Sequence, residues 1–355
     1  MAHPIRPQVI PPGTRFPRWT FWLRNIGWRG RVTLLVTLLY ACFVIAPAVT
    51  ATTLHRQTAS FLTAWLDSPD QGLSVRLYET ATATVVQLPL GDYLVGVLAA
   101  EMNPTAPRAA LQATAVAART YAVHALAASG QHPPTYAATH HADITDAGAI
   151  DLPYLSMAAQ EQRFGSHLDV DRTRLEEAVL ATAGQVLTYQ DKPILAFIFR
   201  ISPGQTRSAS TVFQKSIPYL PSVACPDDVP AARQAPAKLA PSTLKQALQI
   251  PDKSLQLGDF KVVHRDPWSF VGSVQYHKFS WSGQEFADKL GLPSADFTLQ
   301  VQDGQLVAQS EGVGSDIGMS LHEATALATA GKSAAAILSY FYPGTRWTST
   351  ARVFS

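Results

Sequence analysis

Apolar and polar positions along this chain change period several times, and each change marks an element. Residues 32–51, VTLLVTLLYACFVIAPAVTA, hold twenty positions without a charge, the length that spans a hydrocarbon core. Residues 73–79 (LSVRLYE) and 84–88 (TVVQL) alternate and are rich in β-branched side chains, as paired strands are. From Leu90 the period becomes helical. Leu90, Leu94, Val97 and Leu98 share one face, and Glu101, four after Val97 and seven after Leu94, continues it. Asn103-Pro104 and Ala106-Pro107 stop this helix, because proline cannot continue it, while Pro107 suits the first turn of the next. That second helix is alanine-rich (Ala110, Ala113, Ala115, Ala117, Ala118), so another element can approach it closely. Arg119 and Tyr121 lie near its middle.

After Ala128 the pattern dissolves into a loop rich in Pro, Gly, Thr and Asp that runs to residue 156. Residues 173–183 read as a helix ended by Gly184, and GQVLTYQDKPILAFIF as a hairpin turning at Gln190–Pro193. Residues 226–251 are Pro- and Ala-rich, which predicts an insertion or linker with one short helix. KVVHR and SVQYHKFSW then read as strands. Ser282-x-x-Glu285 is a capping box opening GQEFADKLG, and FTLQVQDGQLVAQS is a hairpin with Asp303-Gly304 as its turn. Helices and strands in this mixed order predict an α+β domain over residues 72–349, joined by a linker (52–71) to the apolar span.

Charge adds topology. Residues 1–31 contain six arginines and no acidic residue, so of 28 basic groups 22 remain to face 26 acidic ones in the rest of the chain. Arginines before the 32–51 span, with Trp19, Trp22 and Trp28 as interfacial anchors, predict a single-pass membrane protein with a cytoplasmic N-terminus and an extracytoplasmic domain. A cleaved signal peptide is the competing reading, since PAVTATT offers small residues, but the apolar run and the leader before it are long for one. No basic patch suggests nucleic-acid binding. Cys42 in the span and Cys225 outside it predict neither a disulfide nor a cysteine metal site.

The candidate chemistry centres on Glu101. A carboxylate on an apolar face is costly to ionise, and its pKa rises unless a partner offsets the burial. That environment suits a general acid near neutral pH. The plain alternative is a helical hairpin holding one buried Glu–Arg ion pair. His140, His141, Asp143 and Asp146 suggest a metal, but adjacent histidines without a distant ligand pair fit a solvated or substrate-facing loop better. No metal or cofactor is expected.

The stretch YLVGVLAAEM…P…AALQATAVAARTYAV resembles the signature of the stage II sporulation protein D family, also called the SpoIID/LytB domain. Residues 143–146, Phe164-Gly165, and the 199–223 loop resemble further segments of that family; Ser202, Gly204, Thr206 and Tyr219 match its Ser-Gly-Gly-x-Thr and Pro-Tyr-Leu segments by position. Its closing motif, Gly-His-Gly-Val-Gly-Met-Ser-Gln-Tyr-Gly-Ala, is held here by Gly314, Ile317, Gly318, Met319, Ser320 and Ala324. Pro203, Pro221, Ser315, Asp316 and Leu321 depart from the pattern, and the loop from residue 129 to 156 lacks the cysteines that some relatives carry at an implied zinc site. The likeness covers residues 73–347.

The resemblance implies a peptidoglycan lytic transglycosylase that acts in the engulfment stage of sporulation. Glu101 matches the catalytic glutamate, acting first as acid on the leaving oxygen and then as base on the muramic 6-hydroxyl. Arg119, Tyr121, Ser202, Gly204, Thr206, Tyr219, Gly318 and Ser320 are the implied substrate-binding residues, with Arg119 orienting the site more than neutralising Glu101. The Glu101 hairpin and the 199–219 and 312–322 loops are expected to line one cleft. Implied partners are glycan strands, a peptidoglycan amidase and a membrane partner of the engulfment machinery. The alternative is a non-catalytic glycan-binding protein that recruits or stimulates such an amidase.

Overall fold

Two adjoining helices decide the architecture, one apolar nearly all round and one stripped to alanine. In the computed structural model, which describes residues 64–65, 67–128, 136–148, 150–251 and 255–354, these are α1 (Leu90–Glu101) and α2 (Arg108–Ala128). Ten residues of α1 are buried, from Leu90 to Ala100 with Asp92 left out, so its apolar stripe widens to almost the full circumference, the pattern of a helix inside a core. Close approach makes room for this: a Cβ on Gly96 would stand 2.1 Å from the Tyr154 ring. The alanines of α2 do the same on a larger scale. Ala110, Ala113, Ala115, Ala117 and Ala118 are fully buried, and helices and strands from distant parts of the chain pack directly on α2.

Strands flank this pair. β1 (Ser74–Glu79) and β2 (Thr84–Pro89) run antiparallel with Leu77 opposite Val86, and β1 also takes the short parallel β3 (Ile144–Thr145). Next come α3 (Met157–Phe164) and α4 (Leu168–Ala181). Gln160 is the buried residue of α3, so no apolar period announced it; Ser156 Oγ instead caps it by accepting the Ala159 N–H at 3.3 Å. α4 begins five residues before the expected Thr173, with Asp169 and Asp171 in its first turn, where negative charge suits the helix dipole. β4 (Gln185–Tyr189) turns through Gln190 and Asp191, both left-handed at φ 51° and 61°, into β5 (Lys192–Pro193).

After β6 (Ile198–Phe199) the chain stays on this core through Ala209, Leu220 and Cys225 and then builds a second one. The segment 226–251 is structured throughout: a single 3-10 turn at Pro226–Asp228, a helical turn at Val229–Ala232, β7 (Ala237–Leu239) and α5 (Pro241–Leu248). Leu239, Leu244, Leu248 and Ile250 are buried, and they pack with Phe260, Tyr276, Phe286 and Phe297 in the second core. The prolines at 226, 230 and 241 fall at first helical turns, where a missing N–H costs nothing. β8 (Lys261–Arg265), β9 (Val271–Tyr276) and β10 (Phe279–Ser282) form one antiparallel sheet. Ser282 Oγ caps α6 (Gly283–Leu290). β11 (Asp296–Gln302) and β12 (Gln305–Glu311) form the expected hairpin about Asp303-Gly304, and β12 pairs back onto β7.

The chain then returns to the first core. β13 (Met319–Ser320) lies parallel to β6, α7 (Leu321–Thr329) and α8 (Ala334–Phe341) pack on α2, and β14 (Arg346–Ser349) pairs with β4. The basic 1–31 segment and the expected 32–51 membrane span lie outside the described residues. Among the described residues no helix is long and apolar enough to cross a membrane. The last residues of the expected 52–71 linker are part of the fold: Asp70 is buried and accepts the Gly184 N–H at 3.1 Å.

Candidate active site

Glu101 is the last residue of α1, and the sequence stops the helix there by design of its neighbours. Met102 is extended, and Asn103 Oδ1 accepts from both the N–H (2.9 Å) and the hydroxyl (2.8 Å) of Thr105, a side-chain turn that competes with further helix. The result is a cleft of about 470 Å³ at the α1–α2 corner, lined by Glu101, Asn103, Thr105, Arg163, Arg200, Leu321 and His322 among others. The Glu101 side chain is only 7% exposed, and its Oε2 lies 3.3 Å from Arg200 Nε. Arg200 also donates to Ala100 O (3.1 Å), and Arg163 to the same oxygen (2.9 Å), so two cations sit where the helix dipole is negative. Burial pushes the Glu101 carboxyl above its ordinary pKa, while the charges of Arg200 and Arg163 pull against the rise without cancelling it.

Arg119 is corrected by its surroundings. It is fully buried, with Nε 2.9 Å from Asp70 Oδ2, Nη1 donating to Thr182 Oγ1 at 3.2 Å and Nη2 to Val179 O at 2.9 Å. Its guanidinium cross-links α2 to the end of α4 and the 68–73 turn and has no surface to offer a substrate. Arg200 is the cation that meets Glu101. The sequence had no local signal for it, because the two lie 99 positions apart.

The remaining candidates are mostly framework. Ser202 is buried, its N–H donating to Asp228 Oδ2 (2.7 Å) and its Oγ accepting the Gly204 N–H (3.2 Å). Thr206 is buried, its Oγ1 accepting the Val223 N–H at 2.8 Å. Tyr219 accepts the Leu195 N–H at 3.3 Å. Gly318, at φ 88°, leaves so little room that a Cβ would lie 2.0 Å from Phe197 O. Ser320 is buried; its hydroxyl donates to Asp228 Oδ2 (2.7 Å) and caps α7 by accepting the Glu323 N–H (3.3 Å). None of these is among the described residues lining the Glu101 cleft. Ser202 and Ser320 meet on Asp228, whose Oδ1 lies 3.0 Å from His322 Nδ1 on the cleft wall. Sequence reasoning passed over Asp228 and His322, since the two are 94 positions apart.

The two loops expected to share one cleft are divided between two. Arg200, Ile201, Leu321 and His322 face Glu101. Gly314, Ser315 and Ile317 instead line a second cleft of about 850 Å³ with Arg207, Phe213, Asp266 and Tyr121. There the Tyr121 hydroxyl donates to Asp151 Oδ1 at 2.6 Å. In the 140–146 loop, His140 stacks on Tyr78 (3.9 Å between centroids), Asp143 pairs with Arg76 (2.6 Å) and Asp146 accepts from Thr80. Cys225 is buried, its thiol pushed up to about 12 by burial. Among the described residues no three His, Cys, Asp or Glu side chains are grouped to hold a metal ion.

Comparison with known proteins agrees with the motif reading. The protein family described as Stage II sporulation protein matches residues 78–189. Stage II sporulation protein D of Bacillus amyloliquefaciens is 31% identical over 280 residues, covering 77% of this chain and 78% of that protein. Stage II sporulation protein D of Bacillus subtilis (strain 168) is 31% identical over 277 residues, with the same coverage of 77% and 78%. An uncharacterized protein of Brachyspira hyodysenteriae (strain ATCC 49526 / WA1) is 27% identical over 281 residues, covering 75% of this chain and 68% of that protein. With such an identity carried across most of its length, the chain belongs to the stage II sporulation protein D family.

Proposed function

We propose that this protein is a peptidoglycan lytic transglycosylase, membrane-anchored through residues 32–51, that cuts glycan strands during engulfment in sporulation. The observation that carries the reading is Glu101: a buried carboxyl with a raised pKa, at the floor of an open cleft, beside an arginine 3.3 Å away. A carboxyl whose pKa is raised by burial is better suited to hold a proton and donate it to the glycosidic oxygen between N-acetylmuramic acid and N-acetylglucosamine. Arg200 then stabilises the carboxylate that remains. The muramic C1, left electron-poor, is closed by the 6-hydroxyl of its own sugar, whose proton must pass to a base, giving a 1,6-anhydro end. Ordinary glycoside hydrolysis uses a pair of carboxylates; here Glu101 is the sole acidic side chain among the described residues lining the cleft. Glycan strands are the substrate, and a peptidoglycan amidase together with a membrane component of the engulfment machinery are the proposed partners.

One observation favours a second reading, a glycan-binding protein that recruits or stimulates an amidase without cutting. Leu321 lines the cleft where the family motif has Gln, so an apolar side chain replaces a hydrogen-bonding one. The test sets the full chain beside its Glu101→Gln variant on purified glycan strands lacking stem peptides, with products read by mass spectrometry. Anhydro-muramic ends from the wild type alone support the transglycosylase. Strand binding without products from either would leave the second reading standing.

A further inference from the structure

The cleft holds a second group able to exchange a proton. His322 is the second residue of α7 and lines the cleft with Glu101, its side chain 42% exposed. Its Nδ1 is fixed 3.0 Å from Oδ1 of Asp228, a carboxylate with no exposed surface. Asp228 is itself held: Oδ2 accepts the Ser202 N–H and the Ser320 hydroxyl, both at 2.7 Å. A buried carboxylate so anchored places the imidazole hydrogen on Nδ1 and leaves Nε2 as the ring's free acceptor. This is the arrangement of a base oriented by a carboxylate. It is tied to Glu101 as well, because the backbone N–H of His322 donates to the backbone carbonyl of Arg200 at 3.0 Å, and Arg200 is the cation beside Glu101.

That cation gives a second base a use. By stabilising the Glu101 carboxylate it helps the proton leave, and it leaves the carboxylate a weaker base for the second step than burial alone would make it. Resting on the glycan-cleavage reading above, we propose that the two proton transfers are divided: Glu101 is the acid, and His322, positioned by Asp228, is the base that deprotonates the muramic 6-hydroxyl. The glycosidic C1–O bond breaks with its electron pair going to the leaving oxygen, which takes the Glu101 proton. The O6–H bond breaks, its proton goes to His322 Nε2, and its electron pair forms the O6–C1 bond. The enzyme is left with a carboxylate and an imidazolium, and transfer of one proton from the second to the first, through water in the open cleft, restores it. The charged groups around the ring are Asp228 and Asp227 from the 226–228 turn, Glu323 on α7, Glu101 on α1, Arg163 on α3, and Arg200 after β6.

The test compares the full chain with His322→Ala and His322→Gln on stem-free glycan strands, following anhydro-end formation against substrate concentration and pH. An exposed side chain is changed, and circular dichroism checks that the fold is kept. The expected result is a fall in kcat of about 100-fold or more with KM within about threefold, loss of the acidic limb of the kcat profile, and partial rescue of His322→Ala by added imidazole. An active wild type whose His322 variants keep both kcat and pH profile would overturn the proposal and leave the cleavage reading intact. A loss confined to KM would overturn it too, making His322 a substrate contact. A wild type that forms no anhydro ends overturns both readings together.

Discussion

The Arg119–Asp70 pair makes a prediction that separates framework from chemistry. Arg119 has no exposed side-chain surface and Asp70 has 3%, so neither charge is repaid by water. Burial pushes the guanidinium pKa down while Asp70 holds it up. Replacing Asp70 by Ala removes the 2.9 Å contact to Nε and the acceptor of the Gly184 N–H, leaving a cation and an amide unmatched in the core. Breaking a buried pair from one side costs about 3–5 kcal/mol. Against a total stability of about 5–15 kcal/mol that is a large share. With a urea slope of about 3 kcal/mol per molar, the unfolding midpoint should fall by more than about 1 M. Replacing both residues by apolar ones of similar volume should recover much of the loss, because the pair's desolvation cost is removed with it. The assay is urea unfolding followed by circular dichroism for the full chain, Asp70→Ala and the double variant. A midpoint change in Asp70→Ala below about 0.3 M, equivalent to about 1 kcal/mol, would refute the assignment of Arg119 as a buried cross-link.

Four further outcomes are expected. In the proposed mechanism Glu101 acts in its protonated form, and burial raises its pKa, so cleavage should fall as pH rises through that value; Arg200→Gln removes the largest opposing cause and should move this alkaline limb to higher pH, read from kcat profiles. Gly318→Ala adds a Cβ 2.0 Å from Phe197 O at φ 88° and should cost about 3 kcal/mol or more in urea unfolding. Asp316 is fully buried with its pKa driven well above the ordinary carboxylate range by burial, so the unfolded chain releases that proton at lower pH than the folded one. Stability should therefore decline as pH rises from the unfolded toward the folded pKa, a decline absent from Asp316→Asn in denaturation at several pH values. Anhydro-end formation should survive chelator; loss restored by zinc would count against a metal-free mechanism.

Local chemistry made part of this fold readable. The β1–β2 hairpin, the stop at Asn103-Pro104, the Ser282 cap and the Asp303-Gly304 turn each depend on neighbours within a few residues, and each is written in them. α3 was not readable, because Gln160 is the residue it buries and a polar helix has no apolar period. The packing of residues 226–251 is not readable for another reason. Prolines at 226, 230 and 241 suggest an insertion or linker by composition, yet they stand at first helical turns, and Leu239, Leu244, Leu248 and Ile250 join a core that includes residues as distant as Phe297 and Leu306.

The site follows the same rule with a sharper division. Glu101 could be found because its burial follows from the helix it ends. Its partners could not, since Arg200 lies 99 positions away and the Asp228–His322 contact spans 94. Positions that carry the motif resemblance proved to be mostly backbone supports: Gly318 admits no side chain beside Phe197, and Ser202 and Ser320 spend their hydrogen bonds on Asp228. These supports bear on the proposed chemistry one step removed. By holding Asp228 they orient the His322 ring, and by pairing β13 with β6 they hold Arg200 beside Glu101. Ser320→Ala is therefore expected to act through His322: the Asp228 carboxylate would lose one of its two Oδ2 donors, and the loss of kcat should resemble that of His322→Gln in its pH profile. A Ser320→Ala chain that is destabilised yet cleaves with the wild-type pH profile would show that the serine supports the helix and not the dyad.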